Sequence, residues 1–93
     1  MAARFPLGRV VATPGALEAL TASGVSLAEL LARHQSGDWG EVPFEDTKEN
    51  ERSVRGGFRI VSSYAVENAG EERIWIITEA DRSSTCLLLP EEY

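Results

Sequence analysis

Apolar residues recur along this chain with two periods, and the change from one to the other falls at Gly56-Gly57. Between Thr13 and Gly37 the spacing is helical. Thr13 followed by Pro14 supplies an N-cap and a proline at the first helical position, predicting a helix over 14–23 through Ala16, Leu17, Ala19 and Leu20 that Gly24 stops. Ser26 caps a second helix over 27–36, with Glu29 three residues on and Val25 and Leu30 in the positions of a hydrophobic staple. Leu27, Leu30, Leu31 and His34 follow the i, i+3, i+4, i+7 rule, so His34 projects from the leucine face. Gly37 then offers the left-handed residue that ends a helix. The short link between the two makes them neighbours in space.

From Phe58 onward the period is two. Phe58, Ile60, Ser62, Tyr64 and Val66 alternate with Arg59, Val61, Ser63 and Ala65, predicting a strand over 58–66. A turn at Asn68-Ala69-Gly70 leads to a strand over 73–79, and a second turn at Ala80 to Ser83 leads to one over 84–89. Pro90 closes the last strand and leaves Glu91, Glu92 and Tyr93 as a tail. Between the two regimes, Asp46 to Arg55 reads as a short exposed helix with Asp46 and Glu49 at cap spacing and Glu51 placed to pair with Arg55. Its apolar share is slight, essentially Phe44 and Val54. Ahead of the helices, Arg9-Val10-Val11-Ala12 reads as a brief strand. The predicted fold is a single α+β domain over 1–93, in two layers. Its N-terminal helices pack on a C-terminal three-stranded antiparallel meander, with the short N-terminal strand added.

Ninety-three residues, 43% of them hydrophobic, suffice for one modest core. No apolar run approaches the roughly 20 residues of a membrane span, and Met1 to Leu7 does not read as a secretion signal. A cytoplasmic protein off the membrane is the expectation. Cys86 is the only cysteine, so no intrachain disulfide forms, and one thiol with one histidine falls short of a four-ligand zinc site. Neither metal nor cofactor is expected, and Cys86 reads as a small apolar residue in its run of leucines.

Fifteen acids against nine bases give a net charge of −6, the wrong sign for gripping phosphate backbones. Direct nucleic-acid binding is disfavoured, and the second helix offers only Arg33 as a base beside Glu29 and Gln35. Glu41, Glu45, Asp46, Glu49 and Glu51 crowd into one short segment with a single base, Lys48. That segment has two readings, a solvated face or a surface for a protein partner with a basic surface. Trp39, between Gly37 and Gly40, either packs beneath the third helix or anchors a partner. Asp81 and Arg82, in the last turn, either present a recognition tip or make local backbone hydrogen bonds. The candidate binding set is therefore Trp39, Glu41, Glu45, Asp46, Glu49, Asp81 and Arg82. Trp75, alternating with Ile74 and Ile76, reads as sheet-face packing.

The chain has no Walker loop, no GxGxxG, no HExxH and no GxSxG. His34 with Asp38, Glu79 or Arg82 would do acid–base work only if the fold brought them onto one substrate proton. The other reading of His34 is a structural residue that hydrogen-bonds its surroundings. No catalytic residue is assigned.

RVVATPGALEAL, LLARHQSGDWG and IWIITEADRSSTCLLLPEEY resemble a family of small bacterial proteins found on plasmids and other mobile elements; residues 42–57 share less of that resemblance. In element order alone the chain is also similar to RelE/BrnT-like ribonuclease toxins, from which it departs in charge, since its last strands offer only Arg73 and Arg82 as bases. The resemblance implies a mobile-element context and no site residues. Two functions follow as expectations. The first is an acidic interaction module that blocks, for example, a host defence nuclease by presenting carboxylates where nucleic acid would bind. The second is a small toxin or hydrolytic enzyme using His34 with nearby carboxylates.

Overall fold

In a computed structural model that describes residues 3–66 and 73–93, the chain runs β1 (Arg9–Ala12), α1 (Pro14–Ser23), α2 (Leu27–Ser36), α3 (Phe44–Gly56), β2 (Ile60–Ala65), β3 (Arg73–Thr78) and β4 (Ser84–Leu88), then a 3-10 turn over Pro90–Glu92. The first two helices begin and end where their caps dictate. The Thr13 hydroxyl accepts from the Ala16 amide at 3.1 Å and that of Ser26 from the Glu29 amide at 3.4 Å, while Gly24 and Gly37 take left-handed conformations at the C-termini.

β2, β3 and β4 pair antiparallel in chain order, as the period-two pattern requires, but the sheet is not a three-stranded meander. β1 lies parallel to β4 with Val10 opposite Thr85, giving a four-stranded mixed sheet in the order β1-β4-β3-β2. An apolar run as short as Arg9–Ala12 carries no mark of which strand it joins. The turn at Asn68-Ala69-Gly70 lies outside the described residues.

Alternation divides the sheet into two faces. Tyr64, Ile74, Ile76 and Leu87 face the helices and form one cluster with Ala16, Ala19, Leu20 and Leu30; Val25, Leu27 and Leu31 pack against it. A smaller cluster joins Phe5, Trp39 and Ile60, with Leu7, Val42 and Val54 against it. The opposite face carries Val61, Ser63, Trp75, Ile77, Cys86 and Leu88. Here the predicted tail is a folded element: Tyr93 meets the Trp75 ring edge-on at 5.8 Å, its hydroxyl accepts from Arg59, and the Glu92 carboxylate accepts from the Thr13 hydroxyl and the Leu89 amide.

α3 starts three residues earlier than its cap spacing predicts. Pro43 occupies the N-cap position and its carbonyl accepts from the Asp46 and Thr47 amides, so Asp46 sits inside the first turn and caps nothing. Phe44 is 75% exposed and contributes little to holding the helix. Polar bonds hold it instead. The buried Asn50 side chain donates to the Val61 carbonyl at 2.7 Å and accepts from the Val61 amide at 3.1 Å. Arg82 donates to the Ser53 carbonyl near the helix C-terminus, where a cation also meets the helix dipole favourably. Glu51 pairs with Arg4, not with Arg55, and accepts from the Trp39 indole.

Leu30 is 3% exposed in the main cluster. Leu30→Ala is expected to cost about 2 to 5 kcal/mol through lost burial and the cavity left behind. Denaturant titration measures it, and a loss under roughly 1 kcal/mol would place the α2 leucine face outside the core.

Candidate functional site

His34 is the natural place to look for chemistry, and the structure seals it. The imidazole is 0% exposed, ringed by Phe5 and Trp39 with centroids 5.2 and 6.0 Å away. Its Nδ1 lies 2.6 Å from the Ser62 hydroxyl and its Nε2 2.9 Å from that of Thr78. The chain continues from Thr78 to Thr85 at 2.8 Å and from Thr85 to the Leu7 carbonyl at 2.7 Å.

That last carbonyl fixes every proton in the chain. It can only accept, so the Thr85 hydroxyl spends its proton there and must accept from Thr78. Thr78, its proton spent in turn, accepts from Nε2–H, and Nδ1 is left to accept from Ser62. In its neutral form His34 is thus the Nε2–H tautomer with both nitrogens engaged. Burial pushes its pKa down to about 3, with the Arg82 charge adding to the effect.

The groups that could have joined it are engaged elsewhere. Arg33 Nε donates to Asp38 at 2.6 Å, and this bond holds the Asp38 carboxyl below its usual range. Glu79 pairs with Arg59. Arg82, held at a left-handed φ of 61°, donates to four backbone carbonyls, those of Ser53, Phe58, Glu79 and Ala80. Asp81 accepts from the Ser83 amide at 2.9 Å, the local bond of a turn residue. Trp39 is 4% exposed, with its indole N–H on Glu51, so it packs between α2 and α3 and shows no face to a partner.

A reachable site lies on the other side of the sheet. A cleft of about 390 Å³ opens between the Glu41-Val42-Pro43 segment, the start of α3 and the second face of β2 and β3; Asp46, Val61, Ser63, Arg73 and Trp75 complete its lining. One wall is stitched to the sheet: the Ser63 amide donates to the Trp39 carbonyl at 3.0 Å, and the Glu41 amide donates to the Ser63 carbonyl at 2.7 Å. Gly40 makes this approach feasible, since its φ is 74° and a Cβ there would run into the Ser63 carbonyl. Arg73 and Glu41 bridge the rim at 2.8 Å.

Of the sequence-derived set, Glu41 and Asp46 line this cleft, and Glu45 and Glu49 stand on the same helix. Trp39, Asp81 and Arg82 lie elsewhere. Ser63, Arg73 and Trp75 were not among the candidates, although the period-two pattern already put Ser63 and Trp75 on the face opposite Tyr64 and Ile74. Pairing also thins the acidic segment: Glu41 is matched by Arg73, Glu49 by Arg52 at 2.6 Å and Glu51 by Arg4 at 2.8 Å. Glu45 and Asp46 have no cationic partner among the described residues. Those residues include no cluster able to hold a metal ion, and no single helix among them is long and apolar enough to cross a membrane.

No family model, curated protein or solved structure matches the chain. What the cleft and the histidine can do follows from their own chemistry.

The buried histidine sets a pH dependence. Unfolded, His34 takes up a proton near its ordinary 6.5; folded, it stays neutral down to about 3. Between these values the unfolded state binds more protons, so stability is full above the unfolded pKa and falls as the solution is acidified. Down to about pH 5 the carboxylates, with ordinary values of 3.8 to 4.5, contribute little. A loss of about 2 kcal/mol between about pH 7 and pH 5 is expected, measured by denaturant titration, with a flat profile in a folded His34→Gln variant. Equal slopes in both proteins would show that the native imidazole titrates normally.

Proposed function

We propose that the protein is a non-catalytic interaction module that docks a protein with a basic surface through the first turn of α3 and the adjoining cleft. One observation carries this reading. Glu45 and Asp46, the two carboxylates of the acidic segment without an arginine partner among the described residues, sit together at the start of α3, where Asp46 meets the partly exposed Trp75 across an open cleft. Unpaired carboxylates beside an aromatic surface attract a basic partner from a distance and give it an apolar contact on arrival. Proteins that bind nucleic acid carry basic surfaces of this kind, and a host nuclease held off its substrate is the specific version of the proposal. The enclosure of His34 favours docking over chemistry, because the chain's only imidazole is out of a substrate's reach.

Replacing Glu45, Asp46 and Glu49 together by glutamine is expected to leave the fold intact, since exposed charges and a surface Glu49–Arg52 pair contribute little to stability. The same change should weaken capture of the partner recovered with the tagged native protein, and flatten the salt dependence of that capture. Undiminished capture by the folded triple variant across a salt series would sink the docking reading.

A further inference from the structure

The cleft beside α3 contains a group that the fold leaves unanswered. Ser63 is 7% exposed, yet its hydroxyl makes no hydrogen bond among the described residues. Every fully enclosed side-chain polar atom among those residues has a partner, so the Ser63 oxygen is one that opens onto the cleft it lines. A hydroxyl in a cleft wall is met by water while the cleft is empty, and a ligand that displaces that water has to replace its hydrogen bond.

The surroundings define what that something is. Trp75 lies directly across from Ser63 in the β2–β3 register, placing an indole beside the hydroxyl. Asp46 adds a carboxylate with no cation of its own among the described residues, and Val42, Pro43 and Val61 add apolar surface. Glu41, on the same rim, already holds the guanidinium of Arg73. An anion would meet two carboxylates and an arginine whose charge is taken. A wholly apolar ligand would dry Asp46 and leave Ser63 unsatisfied.

We propose that this cleft receives one arginine side chain of the partner. Its guanidinium stacks on Trp75 and donates to Asp46 and Ser63, while its methylene stem lies along Val42, Pro43 and Val61. A planar, weakly hydrated cation with several forked donors suits an aromatic plane beside two acceptors better than the compact, strongly hydrated ammonium of lysine. The cleft, about 390 Å³, is at the small end of ligand sites and has room for an arginine side chain with its water. The assignment rests on the docking reading in that the arginine comes from its basic partner.

The test uses the native protein, isotope-labelled, titrated with the blocked tripeptide acetyl-Gly-Arg-Gly-amide and followed by amide and indole NMR shifts. Lysine and norleucine tripeptides serve as comparisons. Saturable shifts at the Trp75 indole N–H and the Ser63 amide are expected, with a dissociation constant of about 1 to 10 mM for so small a ligand. Lysine should bind at least about threefold more weakly and norleucine should not bind. Asp46→Asn and Ser63→Ala, each shown folded by its spectrum, should each weaken arginine by at least about threefold.

Equal shifts with norleucine, equal affinity for lysine, no saturable shift at these positions, or full affinity in Asp46→Asn would each overturn the assignment. The two proposals fail separately. If the tripeptide leaves the cleft untouched while the triple glutamine variant still loses its partner, the docking reading stands and the arginine receptacle falls. If the tripeptide binds while the triple variant captures its partner undiminished, the cleft's affinity for arginine stands, and the docking reading falls together with the partner as the source of that arginine.

Discussion

An imidazole with no access to water needs a donor and an acceptor supplied by the fold, and much of this structure converges on supplying them to His34. α2 brings the ring, β2 brings Ser62, β3 brings Thr78, β4 brings Thr85, and the segment before β1 closes the chain with the Leu7 carbonyl. Five parts of the chain, spread from Leu7 to Thr85, are registered against one another by a single file of hydrogen bonds. Apolar packing tolerates small slips, whereas a file of this kind does not: moving any strand by one residue turns its hydroxyl to the other face of the sheet. The polar residues inside this core specify the arrangement that the leucines and isoleucines around them stabilise.

The same dependence explains what the sequence revealed and what it withheld. Local chemistry was legible: caps at Thr13 and Ser26, left-handed glycines at 24 and 37, alternation from Ile60 onward. These signals act within a few residues and do not depend on what lies across the core. Ser62, Thr78 and Thr85 carry no local signal of their role, because the histidine that makes sense of them lies 28 and 44 residues from the first two. α3 was misplaced at its start for a related reason. Its attachments are polar side chains reaching distant backbone, Asn50 to Val61 and Arg82 to Ser53, and a polar helix face gives no sign of having partners.

The candidate site shows a further limit. A count of charges marks Glu41 to Glu51 as strongly acidic, but three of its five carboxylates meet arginines, two of which, Arg4 and Arg73, come from elsewhere in the chain. Much of the apparent field is neutralised by these neighbouring cations. What remains is a small acidic spot whose neighbour, Trp75, reads in sequence as sheet-face packing. It alternates with Ile74 and Ile76, and the face it belongs to is the one turned away from α1 and α2, where it lines the open cleft beside α3.

The outer margin of β2 bears on how any partner is met. Its outward-pointing backbone groups at Val61 and Ser63 are answered by the Asn50 amide and by the Trp39 to Glu41 segment. At the opposite margin β1 is four residues long and runs into Pro14 almost at once. A visiting peptide thus finds little room to lengthen the sheet by joining it as an extra strand, a mode of recognition that reads main chain and is largely indifferent to sequence. Attachment has to rely on side chains. Partner choice is then open to change by single surface substitutions that leave the fold unaltered, and the shortness of β1 leaves little length for edge-to-edge pairing.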